Sequence, residues 1–157
     1  MKTASLQEIK QELNALPPAR VLELCIRLVK SKKENKELLS YLLFDAHDEQ
    51  AFVQNVKEEI ETSFEDLPKS STYLTKKSLR KILRTIARHS RQTGSRQVEL
   101  EMLLHFCISL KGSGIPIQPN IVLGKLYKQQ VTKVSGLLDL LHEDLRYDYM
   151  KIVESLH

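Results

Sequence analysis

The apolar residues of this 157-residue chain recur three and four positions apart, and strict alternation over four or more residues is rare. That spacing gathers them on one side of a 3.6-residue turn and not on one face of a pleated strand. Leu6, Ile9, Leu13 and Leu16 make one stripe, and Leu22, Cys25, Leu28 and Val29 a second. Phe52, Val53, Val56, Ile60 and Phe64 make a third. The β-branched residues obey the same spacing, so no segment reads as a strand. With five Gly, five Pro and no Trp, little in the chain interrupts a helix. The spacing predicts an all-α protein of about seven or eight helices in antiparallel hairpins. These close as a compact bundle or stack as a short right-handed superhelix of the HEAT or armadillo kind.

The helix boundaries are marked locally. Ser5 and Glu8 form a capping box, in which the Ser side chain accepts from the third helical amide while the Glu reaches back. Pro17-Pro18 ends the first helix, and Pro18 suits the first position of the next. The polar run "KSKKENKE" (Lys30–Glu37) breaks that helix or lies on its wet side, and "LLSYLLFD" resumes at Leu38. Asp48 caps a further helix. Thr75 is expected to cap the next, and Gly94 to close it from the C′ position. Ser95 opens another, with Val98, Met102, His105 and Phe106 along its apolar side. "KGSGIPIQPN" (111–120) is the longest loop, Asn120 caps the long helix after it, and Asp144 or Asp148 caps a short last helix. Gly124 and Gly136 mark close packing or a break. The length predicts one domain over 1–157, with sub-blocks 1–66 and 75–157.

Charge is unevenly placed. Residues 67–98 carry nine Lys and Arg and no acid. Residues 1–66 carry nine against thirteen acids, and residues 99–157 six against seven. The basic excess sits in "KKSLRKILRTIARHSRQTGSRQ" (Lys76–Gln97). On a helical projection Leu79, Ile82, Leu83 and Ile86 lie within about 50° of one direction. Lys77, Arg80, Lys81, Arg84, Arg88 and Arg91 cluster opposite, and Arg96 follows the closing Gly. An ordinary wet face mixes signs, since Glu and Lys four apart stabilise a helix by about 0.2–0.5 kcal/mol. Six like charges forgo that, so an offset is expected. It comes from acids of the preceding helix (Glu58, Glu59, Glu61, Glu65, Asp66), or from an anionic partner: nucleic acid, acidic protein or lipid head groups. No aromatic interleaves these charges, so stacking on single-stranded bases is not expected.

Other chemistry is thinly represented. His47 within "DAHDE" and His142 within "LHEDLRYD" sit beside acids, and they are lesser metal-ligand candidates because neither segment has two His at helical spacing. His105 and Cys107 are two apart, so on a helix they point apart. "GSGIP" lacks the strand and Lys of a phosphate loop. No catalytic residue and no cofactor is expected. Cys25 and Cys107 each lie in an apolar run and are expected as buried free thiols of a reduced cytosol. No apolar run reaches the roughly 20 residues that span a bilayer. The polar N-terminus is unlike a secretory signal, so the expected location is cytoplasmic.

The stretch "ALPPARVLELCIRLVKSKKENKELLSYLLFDAHDEQAF" (Ala15–Phe52), above all "KKENKELLSYLLF", resembles a group of small uncharacterised helical proteins from Bacteroidetes-type bacteria. "KKSLRKILR", "GSGIP" and "LHEDLRYDY" are similar too. The resemblance implies a bacterial helical domain and carries over no catalytic residue. Together these readings predict a non-enzymatic interaction or scaffold module whose basic helix meets an anionic partner. The alternative is a nucleic-acid-binding protein contacting phosphates along Lys77–Arg96, and a metal-dependent enzyme ranks below both.

Overall fold

The computed structural model describes residues 2–157. Among them are eight α-helices and no strand, so the chain is all-α as its apolar spacing predicts. It divides into two units, one ending at Phe44 and one running Asp45–His157. The division falls ahead of the fourth helix and not in the loop between 66 and 75.

The first unit holds α1 (Leu6–Ala15), α2 (Pro18–Ser31) and α3 (Lys33–Ser40). Both bonds of the capping box form: Ser5 N–H donates to Glu8 Oε2 at 2.7 Å, and Glu8 N–H to Ser5 Oγ at 3.3 Å. Pro18 takes the first position of α2. The polar run does break the helix, because Lys32 is extended (φ −145°, ψ 141°). The Leu28 carbonyl that the break exposes accepts from Ser31 Oγ at 2.7 Å and from Asn35 Nδ2 at 2.9 Å, so the end of α2 is satisfied across it. No residue of these three helices is buried, and Leu6, Leu22 and Leu28 stand largely in solvent. Cys25 is therefore exposed, contrary to the sequence expectation, because α2 does not bury its apolar stripe. A wide π turn, Tyr41–Asp45, comes after α3.

The second unit holds α4 (Glu49–Glu65), α5 (Thr72–Thr93), α6 (Arg96–Gly112), α7 (Ile121–Leu140) and α8 (Glu143–Glu154). α6 is its centre. Its sequence is apolar around most of its circumference, and a helix of that kind must be covered on several sides. α4, α5 and α7 all pack on it, while α8 packs on α7. Leu100, Met102, Phe106, Cys107 and Leu110 of α6 are fully buried. Phe106 meets Phe64 of α4 with ring centroids 5.5 Å apart. Burial pushes the Cys107 thiol up to about 12.

The caps explain how the helices are aimed. Asp48 accepts from Ala51 N–H at 3.1 Å, Ser95 from Val98 N–H at 3.3 Å, and Asn120 from the amides of Val122 and Leu123. Gly94 ends α5 at φ 64°, a left-handed conformation that costs a side-chain-bearing residue about 1–2 kcal/mol. That turn lets α6 begin soon after α5 stops. Gly124 marks a close approach, since a Cβ there would lie 2.8 Å from the Ile117 carbonyl oxygen of the preceding loop. The last cap differs from expectation. His142, not Asp144 or Asp148, caps α8, its Nδ1 accepting from Asp144 N–H at 3.4 Å.

Candidate polyanion-binding face

α5 is the longest helix and starts one turn earlier than the sequence reading places it. Ser71 is the N-cap, its hydroxyl oxygen accepting from Leu74 N–H. Thr75 is interior and buried. Its hydroxyl lies 2.6 Å from the Pro68 carbonyl and 2.9 Å from that of Ser71, so it ties the loop down and does not cap. Below the helix run Thr75, Leu79, Ile82, Ile86 and Ser90, all buried. Opposite them Lys77, Arg80, Lys81, Arg84 and Arg91 are exposed, as is Arg96 beyond the turn. Arg88 is half-buried. Six of the seven basic residues singled out from the sequence thus belong to this helix, and Arg96 is the first residue of α6.

The earlier start adds a residue that the sequence reading leaves in a loop. Tyr73 lies four positions before Lys77, seven before Arg80 and eleven before Arg84, so it projects within about 40° of each of them. It is 72% exposed. No aromatic interleaves the charges, as the sequence predicts, but one stands a turn ahead of the first of them, on the same line. The 4-3-4 spacing of Tyr73, Lys77, Arg80 and Arg84 was the signal; it needed the cap at Ser71 to count.

The acids of α4 do not pair directly with Lys77, Arg80, Lys81, Arg84, Arg91 or Arg96. Glu59 reaches His89 Nε2 at 3.3 Å, and Glu61 reaches His105 Nε2 at 3.2 Å. His89 also meets Gln92 through Nδ1 and the Phe52 ring edge-on. Burial holds His105 below the ordinary imidazole range, against the opposing pull of Glu61. Among the described residues Lys77, Arg80, Lys81, Arg84, Arg91 and Arg96 form no ion pair and no side-chain hydrogen bond. Lys69 and Lys111, by contrast, each donate to a backbone carbonyl, of Ser113 and Ser155 respectively. The α5 sequence contains seven Lys and Arg pairs three or four apart. At about 0.2–0.5 kcal/mol of repulsion each, they amount to about 1.5–3.5 kcal/mol at low salt.

One flank of the stripe borders a groove walled by α5, α6 and α7. A first section of about 350 Å³ lies between Arg80 and Arg84 on one side and Lys133 and Gln130 on the other. A second of about 300 Å³ shares Ala87, Glu99 and Lys133 with it and continues to Arg91 and Arg96. The one acid at this groove, Glu99, is already 3.1 Å from Lys133. Five cations therefore surround the groove with a single, paired carboxylate among them. Glu99, Gln130 and Lys133 come from other helices, and nothing in the sequence brings them to α5.

His47 is exposed in the turn before α4, and His142 is occupied as the cap of α8, 3.5 Å from Asp144 Oδ2. Among the described residues no three His, Cys, Asp or Glu gather closely enough to hold a metal ion. No helix among those residues is long and apolar enough to cross a membrane. No protein-family model, curated protein or solved structure matches the chain.

Proposed function

We propose that this chain is a non-enzymatic interaction module that receives an anionic macromolecule on the outer face of α5 and along the groove beside it. The observation that carries the reading is the set of exposed, unpaired cations Lys77, Arg80, Lys81, Arg84, Arg91 and Arg96, bordering a groove whose one carboxylate is spoken for. A polyanion would relieve the repulsion along α5 and release its own condensed counterions on docking, which gives salt-dependent affinity. Arg predominates on the face, and its planar guanidinium suits two-point contact with phosphate or carboxylate oxygens. The two cysteines are free, which fits work in a reducing cytoplasm.

The test is salt elution from an immobilised polyanion such as heparin. Wild-type protein is expected to elute at distinctly higher salt than the Arg84→Glu, Arg91→Glu double variant. Both positions are exposed, so helix content by circular dichroism stays unchanged. Equal elution of the two folded proteins rejects the α5 face as the binding surface.

A further inference from the structure

We infer that the polyanion is a single-stranded nucleic acid, with its phosphates along Lys77, Arg80, Arg84 and Arg91 and a base stacked on Tyr73. This rests on the α5 face being a polyanion surface and adds the class of partner. Its first support is a junction between two helix starts. Asn120 Nδ2, at the N-cap of α7, donates to Thr72 Oγ1 of α5 at 3.0 Å. The next residue on each chain segment is a large apolar side chain in solvent: Tyr73 at 72% exposure and Ile121 at 85%. An exposed aromatic and an exposed aliphatic side chain thus follow two helix starts that are hydrogen-bonded to each other, and Tyr73 stands at one end of the cationic stripe.

The second support is where apolar surface is missing. From Arg80 to Arg91 the stripe runs about 17 Å at 1.5 Å per residue. Over that length the deepest groove residues are closed off, with Ile86 1% and Leu103 3% exposed, and only the half-buried Leu83 and Ala87 offer apolar contact. An acidic amphipathic helix needs an apolar groove at every turn to seat its own apolar face. This face offers its large exposed apolar side chains at one end, and between the charges elsewhere only the half-buried Leu83 and Ala87. A duplex fits no better, because its bases are stacked inside and leave Tyr73 and Ile121 nothing to cover. A single strand supplies both parts: a continuous line of phosphates, and bases whose faces are free to stack on an aromatic ring.

The experiment is fluorescence anisotropy at low salt with labelled oligouridine and oligothymidine of about 12 nucleotides, within the usual span of one single-strand site. A blunt duplex of the same length and a polyglutamate peptide serve as competitor classes. Single strands are expected to bind more tightly than either; the RNA and DNA arms show which sugar is preferred. Tyr73→Ala should weaken single-strand binding about 5- to 150-fold, the usual worth of one stacked base, and leave duplex binding nearly unchanged. Tyr73→Phe should restore it, since the ring and not the hydroxyl does the stacking. Arg80→Glu with Arg84→Glu should weaken every polyanion. If duplex or polyglutamate binds as well as the single strand, or if Tyr73→Ala binds the single strand like wild type, the inference is overturned and the broader polyanion reading stands. If no polyanion binds even at low salt, both fall.

Discussion

Removing the one carboxylate from the groove should strengthen binding. Glu99 lies 3.1 Å from Lys133, with the side chains 25% and 50% exposed. An exposed pair of this kind stabilises the fold by at most about 1 kcal/mol, so Glu99→Gln keeps the protein folded. What changes is the groove's net charge. Lys133 is freed and becomes one more cation for a phosphate. Each neutralised phosphate steepens the dependence of log K on log salt by about 0.7 for a single strand and 0.9 for a duplex. If such contacts contribute nothing at 1 M salt, one extra contact tightens binding about five- to eightfold at 0.1 M. The assay is the dissociation constant of a labelled oligonucleotide measured across a salt series, with thermal melts as the control for folding. Glu99→Gln should raise both affinity and slope, and Glu99→Gln with Lys133→Ala should return both to wild type. A well-folded Glu99→Gln protein with unchanged or weaker binding would refute the idea that the polyanion runs along this groove.

The two thiols should be told apart by a thiol reagent. Cys25 is exposed, while Cys107 is fully buried with its thiol pushed up to about 12, so one thiol per chain reacts in the native protein and two in denaturant; two fast native thiols would contradict the burial. Phe106→Ala empties the fully buried site beside Phe64 and should cost about 3–5 kcal/mol in a denaturant melt; a loss below about 1 kcal/mol would mean that α6 is not the centre of the core. Burial and the hydrogen bond to Glu101 push Tyr149 up to about 12. The folded chain then holds this proton more tightly than the unfolded one, whose phenol titrates near 10. Its stabilising effect is complete below about pH 10 and is lost as pH rises towards 12, so Tyr149→Phe should lessen the alkaline fall in stability over that window, as followed by circular dichroism.

The sequence was most legible where a local rule decides the outcome. The capping box at Ser5, the Asp48, Ser95 and Asn120 caps and the Gly94 turn all involve residues within four positions of each other. Where two local rules competed, the outcome depended on distant groups. Ser71 and Thr75 are both good caps, and the choice went to Ser71 because the Thr75 hydroxyl is engaged by the Pro68 carbonyl, seven residues back. That single competition moved Tyr73 from loop to stripe. Cys25 and Cys107 sit in equally apolar runs, yet only α6 is surrounded by other helices, so only Cys107 is buried. The groove was illegible for the same reason: its far wall is Lys133, 42 residues beyond Arg91 in the chain.

The fate of the α4 acids shows why the stripe stays cationic. Around α5, His89 projects about 160° from Arg91, so the flank that meets Glu59 lies nearly opposite the outward line of arginines. A carboxylate that reaches His89 across the α4–α5 seam cannot also reach Arg80 or Arg84. The other flank of α5 faces α7, which carries Lys125, Lys128 and Lys133 and has no acid before Asp139. Two of the internal counter-charges, Glu59 and Glu61, are therefore taken up by histidines on the α4 side, while the groove side gathers cations from α5, α6 and α7 around the one paired carboxylate, Glu99. Mere acid deficiency in one segment would leave α5 basic but open to neutralisation by its neighbours. Segregation of the neighbours by sign is what leaves an uncompensated face, and under the proposed function it is the α7 side, over Lys133 towards Arg84, along which a polyanion would be drawn in.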